Sequence, residues 1–256
     1  MTLFNGVVWY ERTYHFRLLT LPPELPQAVD RLASMVALEF LRQVSGHAST
    51  GLGSAGRRST AQKEAARLYA RKLIQSLGPN TLVAFTDGSA SPNPGPAGAG
   101  AYIFSTNSGE NWDAEAIAAL GQGSNNLGEL WGLGMACQMA LARITSQPPN
   151  TYTSYRIFTD SMYARQCVRG EWHSPKYKSL VESIQRLTTQ LSGMIDFEIM
   201  WVPAHVGIDA NEHADFLAGE GTKRNTAGKT NVDAAKDFGD CNFLPNPLLF
   251  PSRVPV

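Results

Sequence analysis

One short pattern occurs twice along the chain and limits the architectures open to it. The residues VAFT run into Asp87, and the residues RIFT run into Asp160. Thr81–Thr86 is apolar and bounded by Pro79-Asn80 and Asp87-Gly88, which reads as a buried strand. Tyr155–Thr159 reads the same way. Each aspartate then stands at the carboxyl end of a buried strand, the edge at which open α/β sheets bind ligands.

The segments between and after them complete an outline. Residues 91–98 (SPNPGPAG) form a turn, and Ala99–Ser105 is a second strand. The short link makes that pairing antiparallel. A third strand lies near Ala114–Leu120. Residues 126–143 carry Leu127, Leu130, Leu133, Met135, Met139 and Leu141 in a helical pattern. Helices follow at Ser161–Arg169, Lys178–Leu191 and Asp209–Glu220, with a strand at Asp196–Val202. The order β-β-β-α-β-α-α-β-α predicts an α/β fold. Its five-stranded mixed sheet has three antiparallel strands, then parallel ones, with helices on both faces.

The flanks differ from this middle. Residues 22–44 open on Pro22 and Pro23 and read as a helix. Residues 45–60 are rich in Ser and Gly and read as a linker. Residues 61–77 form a second amphipathic helix, capped by Ser59 or Thr60. The tail loses periodicity and ends in Pro245, Pro247, Pro251 and Pro255. The expected division is a basic helical leader at 1–79, a domain at 80–222 and a disordered tail at 223–256.

Charge sharpens the division. Lys+Arg and Asp+Glu are both 22, so the net charge is zero and by itself points to neither nucleic acid nor membrane. Residues 1–80 hold ten basic and five acidic residues, whereas 81–225 hold nine and fourteen. Acid concentrated in the middle fits either bound cations or scattered solvated faces. Cys137, Cys167 and Cys241 stand far apart, which argues against a disulfide framework or a structural zinc site. No apolar run is long enough to span a bilayer. Glu11, Arg12 and Arg17 break the first apolar stretch, unlike a signal peptide. A soluble, intracellular monomer is expected.

Two further acids lie in apolar company. Glu129 is inside the helix at 126–143, and Asp215 precedes Phe216 and Leu217 in HADFLAG. Carboxylates at inward positions are costly unless paired or bound to cations. Asp209 and Glu212 read instead as residues of a helix N-terminus, where the dipole favours acid. Other chemistries fit worse. GPAGAG lacks a following GK[ST], so it is no P-loop. An aspartyl-phosphate enzyme would want Asp where Ser89 stands.

FTDGSASPNPGPAGAGAY, SNNLGELWGL, IFTDS and WVPAHVGIDANEHADFLA, in this order, resemble type I ribonuclease H over about residues 80–222. HVGI followed by NEHAD is especially similar to the domains of non-LTR retrotransposons. The resemblance implies a ribonuclease H-like fold and a metal-dependent endonuclease that cuts the RNA strand of RNA–DNA hybrids. Asp87, Glu129, Asp160 and Asp215 match the family's metal-binding carboxylates. They would hold two Mg2+ ions, with Mn2+ a possible substitute, for in-line attack leaving 5′-phosphate and 3′-hydroxyl ends. His205 matches a mobile-loop histidine that moves protons or helps product leave. Asn93, Asn125 and Asn126, with backbone amides near Gly88 and Ser89, match positions that read 2′-hydroxyls.

The span from Ser161 to Trp201 departs from members with a long basic protrusion. It offers Arg165, Arg169, Lys176 and Lys178 around Trp172 and His173, with Arg186 beyond, which read equally as a solvated helix end or a substrate grip. Weak intrinsic hybrid affinity is expected, with Arg57, Arg58, Lys63, Arg67, Arg71 and Lys72 of the leader compensating at phosphates. The competing readings are an inactive nucleic-acid-binding or retroelement module, and another nuclease or resolvase on the same fold. The intact carboxylate set argues against the first.

Overall fold

The computed structural model describes residues 2–4, 7–12, 15–20, 52, 55–107 and 112–224. The chain divides into two compact units, Met1–Gln62 and Lys63–Val256.

In the first unit, β1 (Thr2–Phe4), β2 (Val7–Arg12) and β3 (His15–Thr20) form an antiparallel meander, with Thr2 opposite Trp9 and Val7 opposite Thr20. The expected helical leader named no strands here, so this sheet is an addition to it. The helix expected at 22–44 and the tail expected at 223–256, apart from Lys223 and Arg224, which are helical, lie outside the described residues, as does most of the linker. The helix expected at 61–77 is α1 (Thr60–Gln75), which from Lys63 onward belongs to the second unit. Its first turn is closed reciprocally: the Gln62 amide donates to Ser59 Oγ at 3.2 Å, and the Ser59 amide donates to Gln62 Oε1 at 2.9 Å. This satisfies two backbone donors that a helix start otherwise leaves open.

The second unit holds a five-stranded sheet. Its strands are β4 (Thr81–Ala90), β5 (Gly95–Ser105), β6 (Asp113–Gly123), β7 (Ser154–Thr159) and β8 (Asp196–Trp201), in the order β6-β5-β4-β7-β8. β4, β5 and β6 are antiparallel neighbours, while β7 runs parallel to β4 and β8 parallel to β7. This is the expected mixed sheet. The turn expected at 91–98 is shorter, because Ala90 pairs with Ala97 and the Ser91 amide donates to Pro96 O at 3.1 Å. Small residues let the two strands continue where the sequence carries no strand pattern.

The helices are α2 (Asn125–Thr145), α3 (Met162–Val168), α4 (Lys178–Ser192) and α5 (Asp209–Arg224). β4 is central and buried on both faces, which is why it reads as a continuous apolar run. Its alternating side chains divide two cores. Leu82 and Ala84 join Ala99, Ala101 and Ile103 of β5, Tyr155 and Ile157 of β7, and apolar residues of α2, α3 and α4. Val83 and Phe85 point to the other face, where Phe85 stacks on Phe158 at 5.0 Å between ring centroids. Such a pair contributes about 0.5–1.5 kcal/mol beyond its area burial. The buried Tyr155 hydroxyl donates to Ala136 O of α2 at 2.8 Å, tying the sheet to that helix.

Two glycines let α2 approach closely. A methyl on Gly88 would lie 2.1 Å from the Glu129 amide nitrogen, and one on Gly128 would lie 2.4 Å from Gly98 O. β4 and α2 therefore touch backbone to backbone where Asp87 and Glu129 stand.

Candidate active site

Three elements bring carboxylates to one end of the sheet. Thr86 and Thr159 are register partners, so Asp87 and Asp160 emerge side by side from parallel strands. The approach at Gly88 and Gly128 brings Glu129 to them. Ligand oxygens of Asp87, Glu129 and Asp160 all lie within 4.8 Å of one another. Asp87 and Glu129 are buried.

Crowding raises the cost of charge on each. The Asp87 carboxyl is pushed up to about 8, chiefly by burial and then by the charges of Asp160 and Asp215. The Gly88 amide, donating to Asp87 Oδ1 at 2.7 Å, opposes this. Burial, followed by the charge of Asp87, drives Glu129 well above the carboxylate range. Asp160 is raised by burial, against the Asn211 amide and His205, which favour its charge.

Asp215 comes from α5 and is less enclosed. Its Oδ2 lies 4.0 Å from His205 Nδ1, and ligand atoms of His205, Glu212 and Asp215 lie within 4.8 Å of one another. Its charge is felt at Asp87, Glu129 and Asp160, so it belongs to the same cluster. Hard oxygen donors, mutual repulsion and a buried Glu129 Oε2 that no hydrogen bond among the described residues satisfies are what a divalent-cation site requires. The residues present fit a metal.

The RNase H family matches residues 79–223, which contain all four carboxylates and His205. The chain belongs to the RNase H family. It is similar to the ribonuclease H of Methylobacillus flagellatus, 31% identical over 152 residues, covering 56% of this chain and 91% of that protein. The ribonuclease H of Rhodopseudomonas palustris is 34% identical over 159 residues, 58% of this chain and 89% of its own length. Among solved structures, RNase H1 from Halobacterium salinarum NRC-1 aligns at 27% identity and TM-score 0.44, over 56% of this chain and 98% of its own. None of these is a retrotransposon domain, and they lend no support to the non-LTR likeness.

By homology the chain is a ribonuclease H, with an acidic cluster that could hold metal. Within that ribonuclease H, Asn93 and Asn125 come together, the Asn125 amide donating to Asn93 Oδ1 at 3.3 Å. Asn126 is exposed in the first turn of α2. The Gly88 amide, expected to face substrate, is engaged by Asp87, and Ser89 O accepts from Thr222 Oγ1 at 3.3 Å. Several cations expected around Trp172 have local partners: Arg165 Nε donates to Ile199 O at 3.0 Å, and Arg169 pairs with Glu171 at 2.7 Å. Trp172 itself is 48% exposed.

Three residues near the site were not assigned to it by the sequence. Asn211 is buried and donates to Asp160 Oδ2 at 3.5 Å. It stands four residues before Asp215, one helical turn away on the same face, which is the signal that could have found it. Trp201 Nε1 donates to Asp160 O at 3.0 Å, steadying the backbone there. Glu212, read as a helix-dipole acid, accepts from the Gly207 amide at 3.2 Å beside His205.

Among the described residues no helix is long and apolar enough to cross a membrane.

Proposed function

We propose that this ribonuclease H hydrolyses the RNA strand of RNA–DNA hybrids by in-line attack of water, leaving 5′-phosphate and 3′-hydroxyl ends. The observation that carries this reading is the buried cluster of Asp87, Glu129 and Asp160, with ligand oxygens within 4.8 Å of one another and Asp215 beside it. These four residues would hold Mg2+, with Mn2+ as a substitute. When bound, two such ions supply a more acidic attacking water and neutralise charge at the leaving 3′ oxygen.

The protein's own groups hold and orient. The Gly88 amide fixes one oxygen of Asp87. Asn211 and Trp201 hold the side chain and backbone of Asp160. The role of His205 is to take a proton or to help product leave, which its exposure and its 4.0 Å separation from Asp215 support. Asn93, Asn125 and Asn126 lie at the turn after β4 and the start of α2, next to the carboxylates, and serve the 2′-hydroxyls of the cut strand. Basic residues of the leader, Lys63 and Arg71 among them, add phosphate contacts.

A panel of RNA–DNA hybrid, duplex DNA, duplex RNA and branched DNA, run with Mg2+ and again with EDTA, tests the proposal. Cleavage confined to the RNA of the hybrid and lost in EDTA is expected. Cutting of branched or duplex DNA, or activity that survives EDTA, would overturn it.

A further inference from the structure

α1 lies outside the residues matched by the family, yet it grips the loop that carries His205. Arg67 Nε donates to Val206 O at 2.7 Å. The same guanidinium lies against Gly207, where an added methyl would meet Arg67 Nη2 at 3.0 Å. Glu212 of α5 accepts the Gly207 amide at 3.2 Å. The loop needs such fixing, since His205 at φ 53° is in the left-handed region that disfavours a side chain. Two residues along the same helix, Tyr69 packs on Trp201 at 6.3 Å between centroids, and Trp201 donates to Asp160 O. Ala66 and Ala70, fully buried on α1, bring the helix in close.

We infer that α1 positions the His205 loop of this enzyme, with Arg67 as the positioning residue acting through the Val206 carbonyl. This rests on the ribonuclease reading above for its kinetic consequence, and on the contacts alone for its structural one. α1 thereby reaches the site from both flanks of its buried Ala66–Ala70 strip, through Arg67 to the His205 loop and through Tyr69 and Trp201 to Asp160. The role assigned here to Arg67 differs from a phosphate contact, because the atom engaged is Nε and the partner is a backbone carbonyl.

Two substitutions separate these roles. Arg67→Gln removes the charge but keeps an N–H donor at the side-chain position of Nε, whereas Arg67→Met removes both. Hydrogen exchange at the Gly207 amide in the full chain is expected to quicken about threefold to tenfold in Arg67→Met and to stay near the parent rate in Arg67→Gln. Turnover on hybrid should fall by a similar factor in Arg67→Met with KM unchanged, should hold in Arg67→Gln, and should not fall further when Arg67→Met is added to His205→Ala. Unchanged Gly207 exchange in Arg67→Met would overturn the inference, as would equal losses of turnover in both variants or an undiminished loss in the His205→Ala background. If the parent chain fails to cut hybrid, the functional proposal fails while the exchange measurement still decides the positioning role.

Discussion

Thr86 and Thr159 face each other across the parallel ladder of β4 and β7, so the next residue on each strand, Asp87 and Asp160, arrives at the same level of the sheet edge. No long-range loop has to be ordered to bring these two carboxylates together. The sheet register does it, and the close helix contact at Gly88 adds Glu129.

Asp87→Asn should abolish cleavage while leaving the fold intact. Losing one anionic ligand costs several kcal/mol of charge stabilisation in the transition state, so turnover should drop by roughly 10³-fold. Hybrid binding measured by titration in the presence of Mg2+ should change little by comparison. Retained turnover would remove Asp87 from the mechanism.

The pH dependence of stability follows from the same crowding. The Asp87 carboxyl, ordinarily 3.8, is pushed up to about 8 in the folded chain. Folding therefore takes up a proton between those values, and stability should fall as pH rises through the window. Urea denaturation in EDTA should give a lower unfolding free energy at pH 8 than at pH 5.5. Asp87→Asn should flatten the difference and stabilise the metal-free protein at pH 8 by about 1–3 kcal/mol. Mg2+ should raise Tm more at pH 8 than at pH 5.5, since the folded site is charged there and competes less with protons.

Gly88→Ala should damage both stability and activity. The new methyl would sit 2.1 Å from the Glu129 amide nitrogen and 2.4 Å from the Gly128 carbonyl carbon, and both are backbone atoms that cannot swing aside. Overpacking of this kind costs about 1–3 kcal/mol, and relief requires α2 to back away, carrying Glu129 from Asp87. Chemical denaturation together with Mg2+ titration should show lower stability and weaker metal binding in one variant.

Asn93→Ala should act on substrate rather than on chemistry. Asn93 Oδ1 anchors the Asn125 amide beside the carboxylates, and both residues are proposed to read 2′-hydroxyls. Removing one such hydrogen bond should raise KM for hybrid about threefold to tenfold with little change in kcat. A fall in kcat at constant KM would place Asn93 elsewhere in the mechanism.

Much of the site was legible because its residues break strong local patterns. Asp87 and Asp160 end apolar runs, and Glu129 interrupts an apolar helix face, so each stands out against its neighbours. The less visible parts depend on contacts that the linear pattern does not encode. Asn211 and Glu212 belong to an ordinary amphipathic helix, and only packing shows that one meets Asp160 and the other Gly207. Arg67 reads as one basic residue among several until α1 is laid beside the His205 loop. The ends of β4 and β5 run through Ser, Gly and Pro, and their pairing is decided by the partner strand rather than by propensity. The strands at 2–20 contain Val7, Val8, Trp9 and Tyr10, a β-rich composition that the reading of the leader as helical passes over.

The carboxylates differ in depth: Glu129 is buried among apolar neighbours, whereas the side chains of Asp215 and His205 are 45% and 58% exposed. That outer pair is the solvent-facing part of the site, which makes it the threshold. Acylation of the His205 ring by a bulky reagent should therefore slow the entry and exit of divalent ions while leaving every carboxylate chemically untouched.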